Sequence, residues 1–236
     1  MSDSTAPCSA GSRWEDLLDV FIAPVELFRR RSDGKFGFGL LMLVVLSAVV
    51  FFGTKSAMQP IWDAEFQRAM AANPNVTPEQ METGRKFASG LAPVFVLVGL
   101  PIGVLLLGLG IWLVARAVGG KPSYAQGATI ATFAFYPRIV QGVVGAVQAL
   151  LMDEAKLTSQ YSVSLGVARF LDPQSTNAMV LAFLGRVDLF TFWVTALIAV
   201  GLKQMTRIST TQAMAGAALA WLIGALPALL QGFRAG

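Results

Sequence analysis

The chain contains no histidine and a single cysteine, Cys8. Without histidine it has no Ser-His or Cys-His catalytic pair and no His-Cys metal cluster, and one thiol cannot form an internal disulfide. No apolar run precedes Cys8, so we expect an ordinary tail residue rather than a lipid attachment site. The sequence therefore predicts neither a metal nor another cofactor.

Charged residues are also scarce, at 14% of the chain, whereas 55% of the residues are hydrophobic and the mean hydropathy is +0.61. This composition is too apolar for a soluble domain of this length and indicates a membrane protein that crosses the bilayer several times. The net charge of +4 is modest and concerns orientation in the membrane. We predict contact with membrane lipids and none with nucleic acid.

Five apolar segments approach the roughly 20 residues needed to cross the hydrocarbon as a helix. Their approximate limits are 36–54, 93–115, 124–152, 187–202 and 213–233. The predicted fold is all-α, with a cytoplasmic tail over 1–35 and a five-helix transmembrane domain over 36–236. Pro101 is expected to break the second segment, and the fourth is short unless 178–184 joins it. The third is long, so tilt, a kink at Pro137 or an extension beyond the membrane must absorb the excess.

The tail carries apolar residues at three- and four-residue spacing, which predicts an amphipathic helix at the membrane interface. These residues are Trp14, Leu17, Leu18, Phe21, Ile22, Val25 and Phe28. Pro24 should break or kink this helix. Arg29, Arg30, Arg31 and Lys35 follow as a candidate lipid-facing basic cluster. The helix is either a lipid or partner sensor, or an anchor packed against the bundle.

Lysine and arginine are equally frequent on the two predicted sides of the membrane, but they are denser on one of them. The tail cluster, together with Arg116, Lys121, Lys203 and Arg207, lies close to span ends or in very short turns. The positive-inside rule weights such positions most. We therefore predict a cytoplasmic N-terminus and, after five spans, a C-terminus on the opposite side.

The first long loop has the composition of a helical hairpin outside the membrane. A helix-forming stretch over 58–72 stops at Asn73-Pro74. Thr77 and Gln80 then have the spacing of a capping box, with Pro78 at the first helical position. This hairpin either binds a partner or covers the end of the bundle.

The two short turns resemble each other, since each has Ser followed three residues later by Gln. Ser123 and Gln126 precede the third span, and Ser209 and Gln212 precede the fifth. Spans two with three and four with five are therefore either two copies of one hairpin or a chance likeness of two helix starts.

Polar residues follow helical spacing along two spans and form a candidate intramembrane network. They are Arg138, Gln141 and Gln148 on the third span, and Asp188, Thr191 and Thr195 on the fourth. An intramembrane arginine needs shelter and a partner, so we predict the third span at the centre of the bundle, with Asp188 facing Arg138. The network is either a polar cavity for a solute, lipid head group or proton, or a structural ion pair, unless Arg138 snorkels to the interface. Asp188 is the only carboxylate in any predicted span, so we predict no enzymatic activity.

Small residues at four-residue spacing predict close helix packing, either within one bundle or in a homodimer. They are Gly99 and Gly103 on the second span and Gly216, Ala220 and Gly224 on the fifth.

Short motifs also occur in a characteristic order along most of the chain. They are Phe21-Ile22-Ala23-Pro24-Val25-Glu26-Leu27-Phe28, Asn73-Pro74 before Thr77-Pro78-Glu79-Gln80, Gly119-Gly120-Lys121 with Ser123-Tyr124, Tyr136-Pro137, Asp188-Leu189-Phe190-Thr191-Phe192-Trp193, and Ala199-Val200-Gly201-Leu202 before Ser209. In these the chain resembles the Yip family, polytopic membrane proteins named for interaction with Rab-type (Ypt) GTPases, and in particular its bacterial branch.

The resemblance implies five spans, a cytoplasmic N-terminus and a non-enzymatic scaffold or adaptor in membrane organisation or protein trafficking. The expected location is the bacterial inner membrane, with other membrane proteins or a homo-oligomer as partners. The polar residues alone leave open an alternative, a small transporter or channel component with a polar cavity between spans three and four.

Overall fold

Ten α-helices form in the residues that the computed structural model describes, 13–71 and 77–235. They are α1 (Asp16–Ile22), α2 (Pro24–Arg30), α3 (Gly37–Ala71), α4 (Pro78–Val94), α5 (Leu100–Ala117), α6 (Tyr124–Ala134), α7 (Pro137–Leu151), α8 (Ala178–Leu184), α9 (Leu189–Thr206) and α10 (Thr210–Ala235). Short 3-10 turns occupy part of the loop between α7 and α8. The described residues thus match the predicted all-α class. Cys8 lies outside them.

Proline sets several of the helix boundaries. Pro24 begins α2 directly after α1 has ended, and Pro137 begins α7 after a kink that follows α6. The break expected at Pro101 does not occur. Instead, a π-helical turn over Phe95–Gly99 joins α4 to α5 without interruption. Proline has no N–H to offer the preceding turn, and a wider turn is one way for a helix to absorb that loss.

Among the residues that the structure describes, four helical stretches are long and apolar enough to cross a membrane, namely Gly37–Met70, Glu79–Ala117, Tyr124–Leu151 and Leu189–Thr206. α10 is apolar over Thr210–Leu226, the part of it whose side chains the structure describes. The fifth span therefore remains a prediction. α8 is a separate short helix and does not extend the fourth span.

The first long loop is built differently from the prediction. α3 runs through Pro60 without a break and ends at Ala71, so the span and the helix expected after it are one helix. The capping box at the start of α4 is confirmed: Gln80 N–H donates to the Thr77 hydroxyl over 3.3 Å, and Thr77 N–H donates to the Gln80 amide oxygen over 2.9 Å. The predicted stop at Asn73-Pro74 lies outside the described residues.

The third span is the centre of the bundle, as predicted. Half of the 18 residues in its apolar stretch are buried, compared with 11% of those in the first span. Close approach of backbones makes this possible: a Cβ at Gly127 would lie 2.6 Å from the Gly108 carbonyl oxygen. The side chains of Phe133 and Tyr136 complete the core, and the Tyr136 hydroxyl donates to the Gly39 carbonyl over 2.8 Å.

The predicted packing residues divide into two groups. Gly216 faces Leu202, Ala220 is buried and Gly224 faces Arg186, so these three contact their own bundle. Among the described residues, no atom of another element lies within 4 Å of the position of a Cβ at Gly103, and the atoms nearest to a Cβ at Gly99 belong to Phe95 of its own helical stretch. The small residues of the second span therefore border open space within this chain.

Candidate functional site: an intramembrane polar network and a basic short-turn face

Arg138 lies at the start of α7 and points toward α9. It is fourteen residues beyond Tyr124, which at 1.5 Å per residue places it about 21 Å below the start of the third span. One guanidinium nitrogen donates to the Thr191 hydroxyl over 2.9 Å, and the other donates to the Gln141 side-chain oxygen over 2.6 Å. Arginine is sheltered here by neutral acceptors from two helices.

Asp188 is the N-cap of α9. One carboxylate oxygen accepts from the backbone N–H groups of Phe190 (2.9 Å) and Thr191 (3.1 Å), and the other accepts from the Thr191 hydroxyl. The side chain is 4% exposed. A buried carboxylate is stabilised by such donors and by the positive end of the helix dipole. Asp188 therefore has a local structural role in starting α9.

The predicted facing pair is connected through an intermediary. The described side chains of Arg138 and Asp188 form no direct salt bridge; the Thr191 hydroxyl accepts from Arg138 and donates to Asp188. Of the other predicted members, Gln148 donates to the Val163 carbonyl over 3.0 Å, and the Thr195 hydroxyl donates to the Thr191 carbonyl of its own helix over 2.8 Å. The network thus comprises four residues: Arg138, Gln141, Thr191 and Asp188.

Arg186, directly before the predicted fourth span, is a second sheltered arginine. Its guanidinium donates to the Trp221 carbonyl over 3.1 Å and lies 5.7 Å from the centre of the Trp221 ring. Its Nε and the indole Nε1 of Trp221 are buried, and neither has a hydrogen-bond partner among the described residues. The signal in the sequence that could have identified Arg186 was its position two residues before Asp188, at the edge of an apolar segment.

The end of the bundle that carries the turns 118–123 and 207–209, together with α1 and α2, is named here the short-turn face. Both predicted capping boxes form there, and each capping glutamine also reaches a different hairpin. The Gln126 amide donates to the carbonyls of Met205 (3.2 Å) and Ser32 (2.9 Å). The Gln212 amide donates to the Val118 carbonyl over 2.8 Å. Each hairpin is therefore tied to the C-terminal end of the first helix of the other.

The two tail helices are held to each other by an ion cluster. Asp16 is 2% exposed and accepts from both Arg30 and Arg31, with the closest contacts 2.6 Å each. Arg30 also contacts Asp19 at 2.5 Å. Burial opposes the charge on Arg30, but its hydrogen bonds to Asp19 and Asp16 outweigh burial and raise the pKa of this guanidinium. It remains charged at any physiological pH.

The cluster changes the interpretation of the four tail cations that were predicted to face lipid. Arg30 and Arg31 turn inward to carboxylates, whereas Arg29 and Lys35 are exposed, the latter 2.7 Å from Asp33. The contacts of Arg30 and Arg31 with Asp16 could not be predicted from the sequence, because they form only when the chain reverses between α1 and α2. Among the described residues, the exposed cations at this end of the bundle include Arg29, Lys35, Arg116, Lys121, Lys203 and Arg207.

In the part of the chain that the structure describes, no group of three or more His, Cys, Asp or Glu side chains is placed to bind a metal ion. The polar residues instead hold helices together. The described part of the chain is helical, with four apolar helices of membrane-spanning length and an arginine hydrogen-bonded between two of them, and these features identify an integral membrane protein.

The Yip1 domain matches residues 18–230, and the chain belongs to the Yip1 family. The family resemblance seen in the sequence motifs is thereby confirmed, while the assignment to a bacterial branch stays a prediction. No curated protein and no solved structure matches the chain.

Proposed function

We propose that this Yip1-family protein is a non-enzymatic membrane scaffold that recruits other proteins through its short-turn face. One observation carries the proposal: two turns and two tail helices form a single surface, tied by Gln126 and Gln212, that presents exposed cations from separate elements. Such a surface suits an acidic partner segment, because oppositely charged groups fix register and speed association.

We further propose five spans, with α10 as the fifth, and a tail over 1–35 that lies at the cytoplasmic interface. The 26-residue length of α10 supports a crossing. The concentration of exposed cations on the short-turn face supports a cytoplasmic position for that face in a bacterial inner membrane. The long connections would then lie on the opposite side.

The polar network supports packing rather than transport. The Thr191 hydroxyl joins Arg138 to Asp188, and Gln141 accepts a second hydrogen bond from Arg138. The polar groups therefore hydrogen-bond to one another and hold two helices together. A flux of solute or ions through reconstituted vesicles that is lost on replacing Arg138 or Asp188 would instead favour a transporter.

Affinity capture of the full chain in mild detergent tests the scaffold proposal. The double variant Lys121→Glu with Arg207→Glu should lose the proteins that the wild type retains, because two exposed cations of the short-turn face become anions. Lys86→Glu with Lys156→Glu changes two exposed cations at the other end of the bundle and should retain them. Identical sets of captured proteins for all three forms would contradict the proposal.

A further inference from the structure

We propose that a groove between α3 and the continuous α4–α5 stretch binds one anionic phospholipid from the leaflet opposite the short-turn face. The groove consists of two cavities. One, of about 530 Å³, is lined by Phe51, Lys55, Trp62 and Arg85. The other, of about 550 Å³, is lined by Ser47, Gly99, Gly103 and Phe135.

The two cavities adjoin each other at Phe95 and Val96, which line both of them. Along α3 the groove extends from Ser47 to Phe66. Its lower part, from Ser47 to Lys55, covers eight residues or about 12 Å at 1.5 Å per residue. One leaflet contributes roughly 15 Å of hydrocarbon, half of the bilayer core. The depth of this lower part is therefore close to the thickness of the acyl-chain region of one leaflet.

The groove is unfilled at Gly103 by any residue that the structure describes. A Cβ at Gly103 would meet no atom within 4 Å. Its walls are apolar, and a vacant apolar groove that faces hydrocarbon is filled by the surrounding solvent, which here is lipid. The small residues predicted for helix packing on the second span thus leave room for an acyl chain.

Aromatic rings line the upper part. Phe51 stacks on Trp62 with 5.5 Å between ring centres and 24° between planes. The Trp62 backbone lies about two helical turns beyond Lys55, but its ring reaches back to Phe51. Tryptophan is favoured at the boundary between hydrocarbon and head groups. The upper cavity therefore reaches the level at which a phospholipid changes from chain to head group.

The charges at this level determine which lipid fits. The Nε of Arg85 lies 3.5 Å from Asp63, so these two charges largely offset each other. The Gln59 amide also donates to Asp63, over 3.1 Å. Lys55 is exposed and forms no salt bridge with any described carboxylate. The rim thus carries one uncompensated cation on a long side chain that reaches head-group phosphates, which favours a lipid with a net negative charge.

A photoactivatable phosphatidylglycerol with the reactive group on its acyl chain tests this site in vesicles containing the purified full chain. We expect labelling concentrated on 51–62 and 95–103. Gly103→Leu should reduce this labelling several-fold, because the position of its Cβ is open and the larger side chain occupies the groove. Gly110→Leu is the matched control: its Cβ also meets nothing within 4 Å, and it lies on the same helix outside the groove.

Charge is tested separately. Lys55→Glu should reduce labelling by phosphatidylglycerol several-fold and leave labelling by a matched phosphatidylcholine probe unchanged, whereas Lys86→Glu should alter neither. Labelling spread evenly over all lipid-exposed helices would overturn the site. Equal labelling of the Gly103→Leu and wild-type proteins would do the same, as would equal use of both lipids by the wild type. A second copy in the groove would show as weak labelling and as loss of the dimer in Gly103→Leu, and would also overturn the proposal.

Discussion

The hydroxyl of Thr191 joins two charged groups that stand on different helices. It accepts from Arg138 and donates to Asp188, both of which are otherwise held by local partners. In a low-dielectric environment an unsatisfied donor beside a charge is costly. This single hydroxyl therefore decides whether the arginine in the third span is compatible with close packing against α9.

Thr191→Val should lower the stability of the detergent-solubilised protein by about 1–2 kcal/mol, because the isosteric change leaves Arg138 and Asp188 without this partner. Thr191→Ser should retain most of the stability. Thermal unfolding followed by size-exclusion chromatography measures the effect. Thr195→Val is the control, since that hydroxyl bonds only to a carbonyl of its own helix. Equal destabilisation by Thr191→Val and Thr195→Val would show that the bridge contributes nothing.

Asp188 itself should tolerate loss of charge better than loss of its oxygens. Asp188→Asn keeps an N-cap acceptor, whereas Asp188→Ala leaves the first N–H groups of α9 unpaired and should cost about 1 kcal/mol more. The exchange of Arg138→Asp with Asp188→Arg should not restore stability, because arginine cannot accept from the α9 backbone. The same thermal assay ranks these variants, and recovery by the exchange would favour direct pairing.

At the scale of elements, capping residues and prolines determine where most of the helices begin. Capping boxes begin α4, α6 and α10, and the Ser/Thr and Gln spacing in the sequence was sufficient to find all three. The breaks at Pro24 and Pro137 were also predictable. The uninterrupted α3 and the π-helical turn before Pro101 were not, since proline inside a helix is tolerated or expelled according to tertiary contacts that local composition does not contain.

Gln126 should control the docking of the tail. Gln126→Ala removes its bonds to Ser32 and Met205, so hydrogen exchange of the α1–α2 peptides in detergent should accelerate several-fold. Gln80→Ala removes a capping glutamine for which the structure shows only bonds within its own box, and should leave tail exchange unchanged. Unchanged exchange in Gln126→Ala would mean that the buried tail side chains suffice for docking.

At the scale of the whole molecule, the sequence predicted a helical membrane bundle centred on its third span, because an arginine in hydrocarbon needs cover. It did not predict that Arg30 and Arg31 turn toward Asp16. That contact depends on a fold-back between residues 14 and 15 positions apart, which helical periodicity cannot express. The bridging role of Thr191 likewise required the relative positions of α7 and α9.

The proposed five-span topology can be tested with the single native thiol. Cys8 in intact cells should resist a membrane-impermeant maleimide and react after permeabilisation. In a Cys8→Ser background, Ser175→Cys places a thiol at an exposed site in the loop between α7 and α8, which should react in intact cells. A reporter fused after Gly236 should behave as non-cytoplasmic. A cytoplasmic signal from that fusion would reduce the count to four.

The buried tail also has a consequence for synthesis. Val20, Leu27 and Phe28 are fully buried, yet Phe28 packs on Phe133 and Phe21 packs on Trp193, which the ribosome adds much later. At about 5–20 residues per second, the 165 residues from Phe28 to Trp193 take roughly 8 to 33 seconds. Until Trp193 has been made, the α1–α2 segment lacks part of its docking site, so its final position is reached only after most of the fourth span has been translated. Closure of the short-turn face therefore reports that nearly the whole chain has been inserted.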